Sequence, residues 1–403
     1  MSSFDILPIA LTCGEPAGIG PEIAARAWEE IGSRLPFFLI GDPSHLPKGT
    51  PLREITHPRE AERAAMHGLP VLPHPFEGPA IPGSPDPRNA RSVIDVISRA
   101  VQLVRAGEAG AVCTAPISKK ALQEGAGFAF PGHTEYLAHL AGVSRVVMML
   151  ACPDLRVVPA TIHIPLAEVP QQLTRRLLTE TIQITHKALR QDFGIGAPRI
   201  AIAGLNPHAG EGGAMGLEEQ ELIVPVLAKL RAEGLAVDGP RSADTMFHPR
   251  ARAGYDVAIC MYHDQALIPI KTVDFAGGVN VTLGLPFVRT SPDHGTAFDI
   301  AGRGLADAGQ RRPRQVAVGI LDLGDPGGVG IGLQRGHRNA EGGRPLGGPL
   351  AQLVGGPPLG VGVYLRDGIA GRGRDTVGHL RAELPRAARG QKQRCRADHG
   401  HRL

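Results

Sequence analysis

The stretch that decides the fold prediction runs from residue 255 to residue 304 and reads YDVAICMYHDQALIPIKTVDFAGGVNVTLGLPFVRTSPDHGTAFDIAGRG. Two runs within it, 257–261 and 279–283, are apolar and rich in β-branched residues, which predicts two buried strands. Polar residues that can carry chemistry follow the first strand at once, beginning with His263 and Asp264. The stretch therefore predicts strands whose ends present functional side chains.

The same pattern extends back towards the N-terminus as an alternation of apolar runs and amphipathic helical stretches. This alternation is typical of an α/β fold with a largely parallel sheet that helices cover on both faces. A Pro- and Gly-rich segment at 70–88 predicts a long excursion between elements. The predicted strands are 6–12, 37–40, 111–113, 146–150, 156–161, 199–203, 257–261 and 279–283, and the predicted helices are 21–31, 90–105, 135–141, 173–192, 218–233 and 299–308.

The composition fits a folded protein and argues against membrane and secreted classes. With 403 residues, of which 42% are hydrophobic, the chain is long enough for one large or two medium domains with a substantial core. No apolar run approaches the ~20 residues that span a bilayer, and the first residues lack the basic start of a signal peptide. The five cysteines are scattered without a CxxC pair, which indicates a reduced, cytoplasmic protein.

The segment 310–403 differs in composition from the rest of the chain. It contains 21 Gly, 15 Arg and one Lys but only seven acidic residues, and strong helical periodicity is lacking. Residues 1–309 therefore carry a mildly negative net charge although the whole chain is +4, which argues against a nucleic-acid partner. Two interpretations of the segment compete, a disordered basic extension and an out-of-frame translation of GC-rich coding sequence. The second is favoured, and neither assigns the segment any chemistry.

Three histidines stand close behind predicted strands: His163, His208 and His263. Ligands of parallel sheets bind beyond the carboxyl ends of the strands. Three imidazoles at such ends are able to converge on one divalent metal ion and to leave positions for substrate oxygens. The alternative is that each histidine caps or hydrogen-bonds its own loop, and the residues alone leave both interpretations open.

Two aspartates are candidates for a role beside these histidines. Asp264 adjoins His263, and Asp244 lies in the segment RSADT at 241–245. Either carboxylate is able to orient a ligand histidine or to accept a proton. The alternative for Asp244 is an N-cap ahead of a short helix.

Cationic and polar residues in two segments are candidates for binding an anion. Lys271, Asn280 and Arg289 form the first set, and both basic residues follow apolar runs rather than an obviously solvated face. His133 and Thr134 stand just before a predicted helix, whose first N–H groups attract phosphate. Thr134 as a plain N-cap is a compatible alternative.

The segment GEPAGIGPE at 14–22 follows the first strand and opens a helix. Its spacing does not fit the dinucleotide fingerprint GxGxxG, and no acidic residue closes a second strand at the expected distance. A Rossmann assignment is therefore rejected, and the glycines are predicted to permit a tight turn and close helix–strand packing. Glu15 and Glu22 remain candidate polar site residues.

Six long motifs lie in order along residues 1–309. They are GEPAGIGPE at 14–22, TAPISK at 114–119, FPGHTEYLA at 130–138, GLNPHAGEGGAMGLEE at 204–219, GPRSADTMF at 239–247, and the stretch at 255–304. Together they resemble the 4-hydroxythreonine-4-phosphate dehydrogenase family, and the resemblance covers nearly all of 1–309. The segment 294–302 is similar to the NAD-binding loop of the wider isocitrate and isopropylmalate dehydrogenase fold.

The resemblance implies a two-lobed α/β/α fold with the active site in the cleft between the lobes and at a homodimer interface. The implied lobes are about 1–128 plus 276–309, and about 129–275. Asp244 and Asp264 are the catalytic candidates. The resemblance implies metal ligands at His163, His208 and His263, substrate contacts at His133, Thr134, Lys271, Asn280 and Arg289, and NAD or NADP contacts at His294, Gly295 and Asp299.

The implied reaction is the oxidation and decarboxylation of 4-phosphooxy-L-threonine to 3-amino-2-oxopropyl phosphate, with NAD and one divalent ion of Zn, Mg or Co, in vitamin B6 synthesis. One alternative is a sister enzyme that oxidises a phosphorylated sugar acid, either 4-phospho-threonate or phospho-erythronate. Two alternatives of another class are a metal-dependent hydrolase and an inactive binding protein. The resemblance implies no nucleic-acid and no membrane partner.

Overall fold

The computed structural model describes residues 7–306, and the strands among them form one 12-stranded sheet. The strands are β1 Ile9–Thr12, β2 Phe37–Gly41, β3 Leu52–Glu54, β4 Leu69–Pro73, β5 Ala111–Thr114, β6 Val147–Cys152, β7 Leu155–Pro159, β8 Ile200–Ala203, β9 Val237–Arg241, β10 Val257–Cys260, β11 Val279–Leu283 and β12 Val288–Pro292. Their order across the sheet is β3-β4-β2-β1-β5-β12-β11-β6-β7-β10-β8-β9.

The sheet is mixed but mostly parallel, as the alternation of elements predicts. Within residues 7–306 the antiparallel strand pairs are β12–β11, β11–β6 and β6–β7, besides one isolated antiparallel bridge between Ile81 and Ser84. The strands on either side of that region pair in parallel, and β10 lies between β7 and β8 in parallel register with both. Every residue of β1, β2, β5, β8 and β10 is buried. Because neighbouring residues of a strand point to opposite faces, this burial means that both faces of the sheet are covered there.

Ten α-helices connect these strands. They are α1 Gly20–Ile31, α2 Ala61–Ala65, α3 Ala90–Arg105, α4 Lys119–Ala126, α5 His133–Ala141, α6 Val169–Gln172, α7 Arg175–Gln191, α8 Val224–Ala232, α9 Pro249–Arg252 and α10 His263–Val273. A π-helical turn, Glu219–Ile223, precedes α8 directly. None of the helices within residues 7–306 combines the length and the apolar character that crossing a membrane requires.

All eight predicted strands are confirmed, with ends that shift by up to three residues. Four short strands escaped prediction: β3, β4, β9 and β12. β4 holds Pro70 and Pro73 inside the segment predicted as an excursion, and β12 has the sequence VRTSP. Proline and polar side chains hide such strands from a pattern based on apolar runs, because pairing with neighbours rather than propensity makes them strands.

Five of the six predicted helices are confirmed, and the helix predicted at 299–308 is wrong over the residues that the structure describes. Residues 298–304 form turns and residues 305–306 have no regular structure, with hydrogen bonds from Ile300 N to Ala297 O and from Arg303 N to Ile300 O. Gly302 and Gly304 adopt left-handed backbone angles, with φ of 72° and 64°. A left-handed residue ends a right-handed helix, so this segment stays a chain of turns.

Two further predictions stay untested. The segment 310–403 lies outside the described residues. The boundaries of the two lobes also remain a prediction.

Four cysteines lie within the described residues, and all are buried: Cys13, Cys113, Cys152 and Cys260. Burial raises the pKa of the Cys13 and Cys113 thiols to about 12, because a thiolate loses its hydration inside the protein. Burial is also the main cause of the raised pKa of Cys152 and Cys260. These thiols are therefore packing groups rather than nucleophiles.

The core of the sheet allows a direct test with a matched pair of phenylalanines. Phe38 on β2 is fully buried, whereas Phe275 is 81% exposed. We expect Phe38→Ala to lower the free energy of unfolding by about 3–5 kcal/mol, because the lost ring leaves a cavity. Phe275→Ala should cost less than about 1 kcal/mol, since an exposed ring loses only surface contacts such as its cation–π contact with Lys271. Urea unfolding measures both values, and equal losses in the two variants would contradict this description of the core.

Candidate active site

Three neighbouring parallel strands carry the three predicted metal ligands at their carboxyl ends. β7, β10 and β8 are adjacent, and they lead into His163, His263 and His208 respectively, each within five residues of its strand end. Parallel neighbours end at the same edge of a sheet, so the topology gathers these histidines along one edge.

His163 and His263 lie together. Their ring centroids are 5.6 Å apart, with an angle of 44° between the rings. Nδ1 of His263 hydrogen-bonds Oδ1 of Asp264 at 2.7 Å, which leaves Nε2 available. A carboxylate on one ring nitrogen fixes the orientation of the ring and makes the other nitrogen a better metal ligand. Asp264 therefore lies within hydrogen-bond distance of His263, and its role in the site stays a prediction.

No described contact joins His208 to this pair. No set of three His, Cys, Asp or Glu side chains within residues 7–306 is arranged to hold a metal ion. Both His163 and His208 have a φ of 52°, in the left-handed region that non-glycine residues rarely occupy. Such backbone angles cluster at binding and catalytic sites. The three-histidine metal site thus remains a prediction that a single copy of the described chain does not complete.

Asp244 lies close enough to His208 for their charges to interact. It is in a short 3₁₀ turn after β9, Ala243–Thr245, where Ser242 occupies the N-cap position. The N-cap alternative for Asp244 is therefore wrong. The hydroxyl of Ser242 donates to Oδ1 of Asp244, and this bond, with help from the charge of His208, lowers the pKa of the carboxyl. Asp244 is consequently ionised at neutral pH and able to accept a proton.

Arg289 is a buried cation in the middle of the sheet. Its side chain lies on β12, and the residue is 2% exposed. Nη1 donates to Oγ1 of Thr282 at 2.8 Å, and Nη2 donates to Oγ1 of Thr114 at 2.6 Å. Burial lowers the pKa of Arg289 to about 10, so the group stays charged at neutral pH. Nε is buried and has no hydrogen-bond partner among the described residues.

His133 lies near Arg289, at the first turn of α5. Gly132 occupies the N-cap of this helix and supplies no side-chain cap, so Thr134 as an N-cap is wrong. The first N–H groups of α5 thus lack a capping side chain and are available to an anion. Nε2 of His133 is buried without a hydrogen-bond partner in residues 7–306. Burial, followed by the charges of Arg289 and Lys119, lowers the pKa of His133 well below its usual value.

Lys119 is a basic neighbour of this pocket that the sequence reasoning missed. It begins α4, and its Nζ lies 3.7 Å from the point where a Cβ on Gly132 would stand. The available signal was its place as the last residue of TAPISK at 114–119. The residues Arg289, His133 and Lys119 and the N-terminus of α5 are called the basic pocket below.

The remaining predicted substrate residues are on α10 and β11. Lys271 is on α10, where its Nζ forms an ion pair with Oδ2 of Asp293 at 2.8 Å. Asn280 is on β11, in register with Ser291 of β12. No described contact joins either residue to the basic pocket, so their substrate roles stay predictions.

The segment 293–302 packs on the Gly-rich turn after β1. Ile19 N donates to Thr296 O at 3.1 Å, and a Cβ on Gly18 would meet Thr296 O at 2.9 Å. A Cβ on Gly20 would meet Cys13 O at 2.4 Å, which excludes larger residues. The prediction that these glycines permit a tight turn and close packing is confirmed. His294 is exposed and hydrogen-bonds its neighbour Gly295 through Nδ1. Its role in cofactor binding, with those of Gly295 and Asp299, stays a prediction.

The two glutamates of the Gly-rich turn are partly or wholly enclosed. Glu15 is 3% exposed and accepts a hydrogen bond from Ala17 N, and burial raises its pKa. Oε2 of Glu22 is buried without a partner among the described residues.

Comparison with known proteins gives the relationship of this chain. The sequence model described as "Pyridoxal phosphate biosynthetic protein PdxA" matches residues 34–312. The 4-hydroxythreonine-4-phosphate dehydrogenase of Paracoccus denitrificans is 63% identical over 305 residues, which cover 75% of this chain and 93% of that protein. The chain belongs to the PdxA family. Its relative of the same name from Roseobacter denitrificans is 64% identical over 301 residues, or 74% of this chain and 92% of that protein.

Solved structures of the PdxA family share the fold. The 4-hydroxythreonine-4-phosphate dehydrogenase of Klebsiella pneumoniae has a TM-score of 0.70 and 37% identity, over 78% of this chain and 97% of that one. A terephthalate 1,2-cis-dihydrodiol dehydrogenase from Burkholderia xenovorans LB400 has a TM-score of 0.53 and 30% identity, over 75% and 94%. The fold of the described residues is therefore that of the PdxA family, as the resemblance implied.

The depressed pKa of His133 predicts a pH dependence of stability. A histidine in the unfolded chain takes up a proton near pH ~6.5, whereas buried His133 stays neutral, so stability is lost as the pH falls below that value. The free energy of unfolding should thus fall more steeply between about pH 7 and about pH 5 in the wild type than in His133→Gln, by up to ~1.4 kcal/mol per pH unit. Urea unfolding across this range measures the difference, and parallel pH profiles would refute it.

Proposed function

We propose that this chain is a 4-hydroxythreonine-4-phosphate dehydrogenase that acts in the cytoplasm in the synthesis of pyridoxal phosphate. The reaction is the NAD-dependent oxidation and decarboxylation of 4-phosphooxy-L-threonine to 3-amino-2-oxopropyl phosphate, with a divalent metal ion. The observation that carries the proposal is the 63% identity to the Paracoccus relative of that name over 93% of its length. The basic pocket and the histidine pair supply the chemical groups that such a reaction requires.

The basic pocket is the proposed site for the phosphoryl group of the substrate. Arg289 stays charged although it is buried, and its Nε and the Nε2 of His133 have no partner among the described residues. The Glu135 carboxylate interacts with the charge of Arg289, but it leaves Nε of Arg289 without a hydrogen bond among the described residues. An anion in this pocket would therefore satisfy polar groups that the described chain leaves unsatisfied. Lys119 and the first N–H groups of α5 add positive potential at the same place. Thr134, in the first turn of α5, would contact the same group.

The metal ion is proposed to bind imidazole nitrogens of His163, His263 and His208. The paired rings and the Asp264 hydrogen bond fit this group, because two imidazoles lie side by side and Nε2 of His263 is left available while Asp264 holds Nδ1. Imidazole donors favour Zn²⁺ or Co²⁺ over Mg²⁺, which prefers oxygen. When bound, such an ion acts as a Lewis acid that polarises the oxygens of the reacting hydroxyl and carboxylate.

We propose that a second copy of the chain completes the site. His208 does not join His163 and His263 within the described chain. His263 and Lys271 lie eight residues apart on α10, which separates them by roughly 12 Å along the helix axis. Side chains from two subunits would bring the metal-binding histidines and a substrate-binding lysine to one small substrate. A homodimer with shared active sites accounts for both observations.

The chain's own acid–base groups have distinct proposed roles. Asp264 is hydrogen-bonded to the ring of His263, whereas Asp244 is ionised, accepts a hydrogen bond from Ser242 and interacts with His208 only through charge. We therefore assign the acceptance of the substrate hydroxyl proton to Asp244. The substrate would also contact Lys271, Asn280 and Arg289, and these contacts would fix its orientation.

The cofactor is proposed to bind along the segment that contains His294, Gly295 and Asp299. NAD, or NADP in its place, accepts the hydride when it is bound. The close contact between this segment and the Gly-rich turn would hold a rigid backbone surface for it.

A second candidate is a dehydrogenase of a different hydroxy acid, including a phosphorylated sugar acid. The likeness to a terephthalate 1,2-cis-dihydrodiol dehydrogenase, at 30% identity over 94% of that chain, favours it. The basic pocket would favour substrates with a phosphoryl group over those without one. NADH formation with 4-phosphooxy-L-threonine, 4-phospho-threonate and an unphosphorylated diol would separate these functions.

The metal ligands give the first functional prediction. We expect His208→Ala to abolish metal-dependent NADH formation, because the remaining two imidazoles bind a divalent ion weakly. Absorbance of NADH with and without a chelator measures the effect, and His248→Ala, at an exposed position, is the control. Normal turnover with full metal dependence in His208→Ala would show that the ligand assignment is wrong.

Lys119 gives a second prediction with a neighbouring control. Lys119→Met should raise KM for the phosphorylated substrate roughly 10- to 100-fold, because a charge-assisted contact to phosphate is worth about 1.5–3 kcal/mol. Lys120→Met should change KM little, since Lys120 is exposed and faces Glu124. Steady-state kinetics of NADH formation compare the two, and an unchanged KM in Lys119→Met removes Lys119 from the pocket.

A further inference from the structure

The turn that carries His208 has an unusual backbone. Six consecutive residues have positive φ, so the chain makes a left-handed turn directly after Pro207. Left-handed angles are unfavourable for L-residues with a Cβ, and three of the six are not glycine. The turn therefore needs contacts from outside that hold it in place. The six residues and their φ values are His208 52°, Ala209 52°, Gly210 79°, Glu211 43°, Gly212 67° and Gly213 99°.

A buried carboxylate holds the base of this turn. Glu219, which is 3% exposed, accepts hydrogen bonds at Oε1 from Leu205 N at 2.7 Å and from Asn206 N at 2.8 Å. Its Oε2 accepts from Nδ2 of Asn206 at 3.0 Å. A Cβ on Gly210 would stand 2.6 Å from the same oxygen, so the carboxylate also packs directly against the turn.

A buried amide joins the same loop to the helix that carries His263. Gln265 is 9% exposed and lies two residues after His263 on α10. Its Nε2 donates to Gly204 O at 2.7 Å, and its Oε1 accepts from Met261 N at 2.7 Å. One side chain thus spans from the end of β8 to the end of β10 and satisfies a backbone group on each.

We propose that Glu219 and Gln265 are positioning residues that hold His208 and His263 in the geometry that binds the metal ion. This inference rests on the proposed function. Both side chains hydrogen-bond backbone groups within three residues of a proposed ligand histidine, and neither is itself a proposed ligand. Groups that orient metal ligands typically contribute 10- to 100-fold to metal affinity. Gly204 belongs to the same unit, because a Cβ there would meet Ala209 Cα at 2.8 Å and Oε1 of Glu219 at 3.1 Å.

Two substitutions remove these contacts with little change in side-chain volume. Glu219→Gln can place an NH₂ group against the N–H donors of Leu205 and Asn206, and Gln265→Met removes both hydrogen bonds of the amide. Each should weaken the binding of metal roughly 10- to 100-fold. Co²⁺ is the probe: its dissociation constant is measured by competition with a chelator on the full chain stripped of metal. The visible spectrum of bound Co²⁺ reports the ligand geometry and should change in both variants.

A destabilised variant elsewhere separates positioning from loss of stability. Phe38→Ala weakens the sheet at β2, and it should bind Co²⁺ with wild-type affinity and spectrum. Excess metal should restore kcat in Gln265→Met more fully than in His208→Ala. If Glu219→Gln does not fold, Gln265→Met alone carries the test.

Different results would overturn the proposed metal site and the positioning role. If His208→Ala binds Co²⁺ as tightly as the wild type, the proposed metal site is wrong. If His208→Ala loses Co²⁺ while both Glu219→Gln and Gln265→Met bind it normally with an unchanged spectrum, the positioning role is wrong. If Phe38→Ala loses affinity as much as they do, the effect is one of stability and the positioning role is again wrong.

Discussion

The backbone hydrogen bonds that hold β10 between β7 and β8 are the constraint on which the rest of the site depends. They align three parallel strands in register, so the loops after them emerge at one edge. His163 and His263 meet there although 100 residues separate them in the sequence. No local preference of either loop would produce that meeting. The sheet does so because each of the three strands is buried and its backbone polar groups must be paired.

The protein also buries a charged group on folding, without any ligand. Arg289 keeps its charge in the sheet with the help of two threonine hydroxyls, and His133 stays neutral beside it because burial and two cations oppose its protonation. The described chain thus holds a preorganised cationic group whose Nε has no hydrogen-bond partner, although the Glu135 carboxylate interacts with its charge. Preorganisation of this kind favours an anion because the desolvation of the cation has already taken place on folding.

More of the fold than of the candidate site could be predicted from the sequence. Apolar β-branched runs located the eight strands with apolar cores, and histidines behind such runs proved to share an edge. β12 was missed because Arg289, Thr290 and Ser291 are polar yet buried, and only pairing with β5 and β11 makes them a strand. Lys119 was missed because only the folded chain brings it next to Gly132, which lies in another segment of the sequence. The helix predicted at 299–308 failed because its glycines take left-handed angles that periodicity does not register.

The buried thiols have a practical consequence for handling this protein. Four thiols within residues 7–306 are buried and have raised pKa values: Cys13, Cys113, Cys152 and Cys260. Because the thiolate is the reactive form, electrophilic thiol reagents should react slowly with these four residues. A single cysteine introduced on the surface of that part would therefore differ in reactivity from these four native cysteines. Fluorophores or spin labels attached there would report on subunit association or on substrate-linked motion without replacement of these four residues.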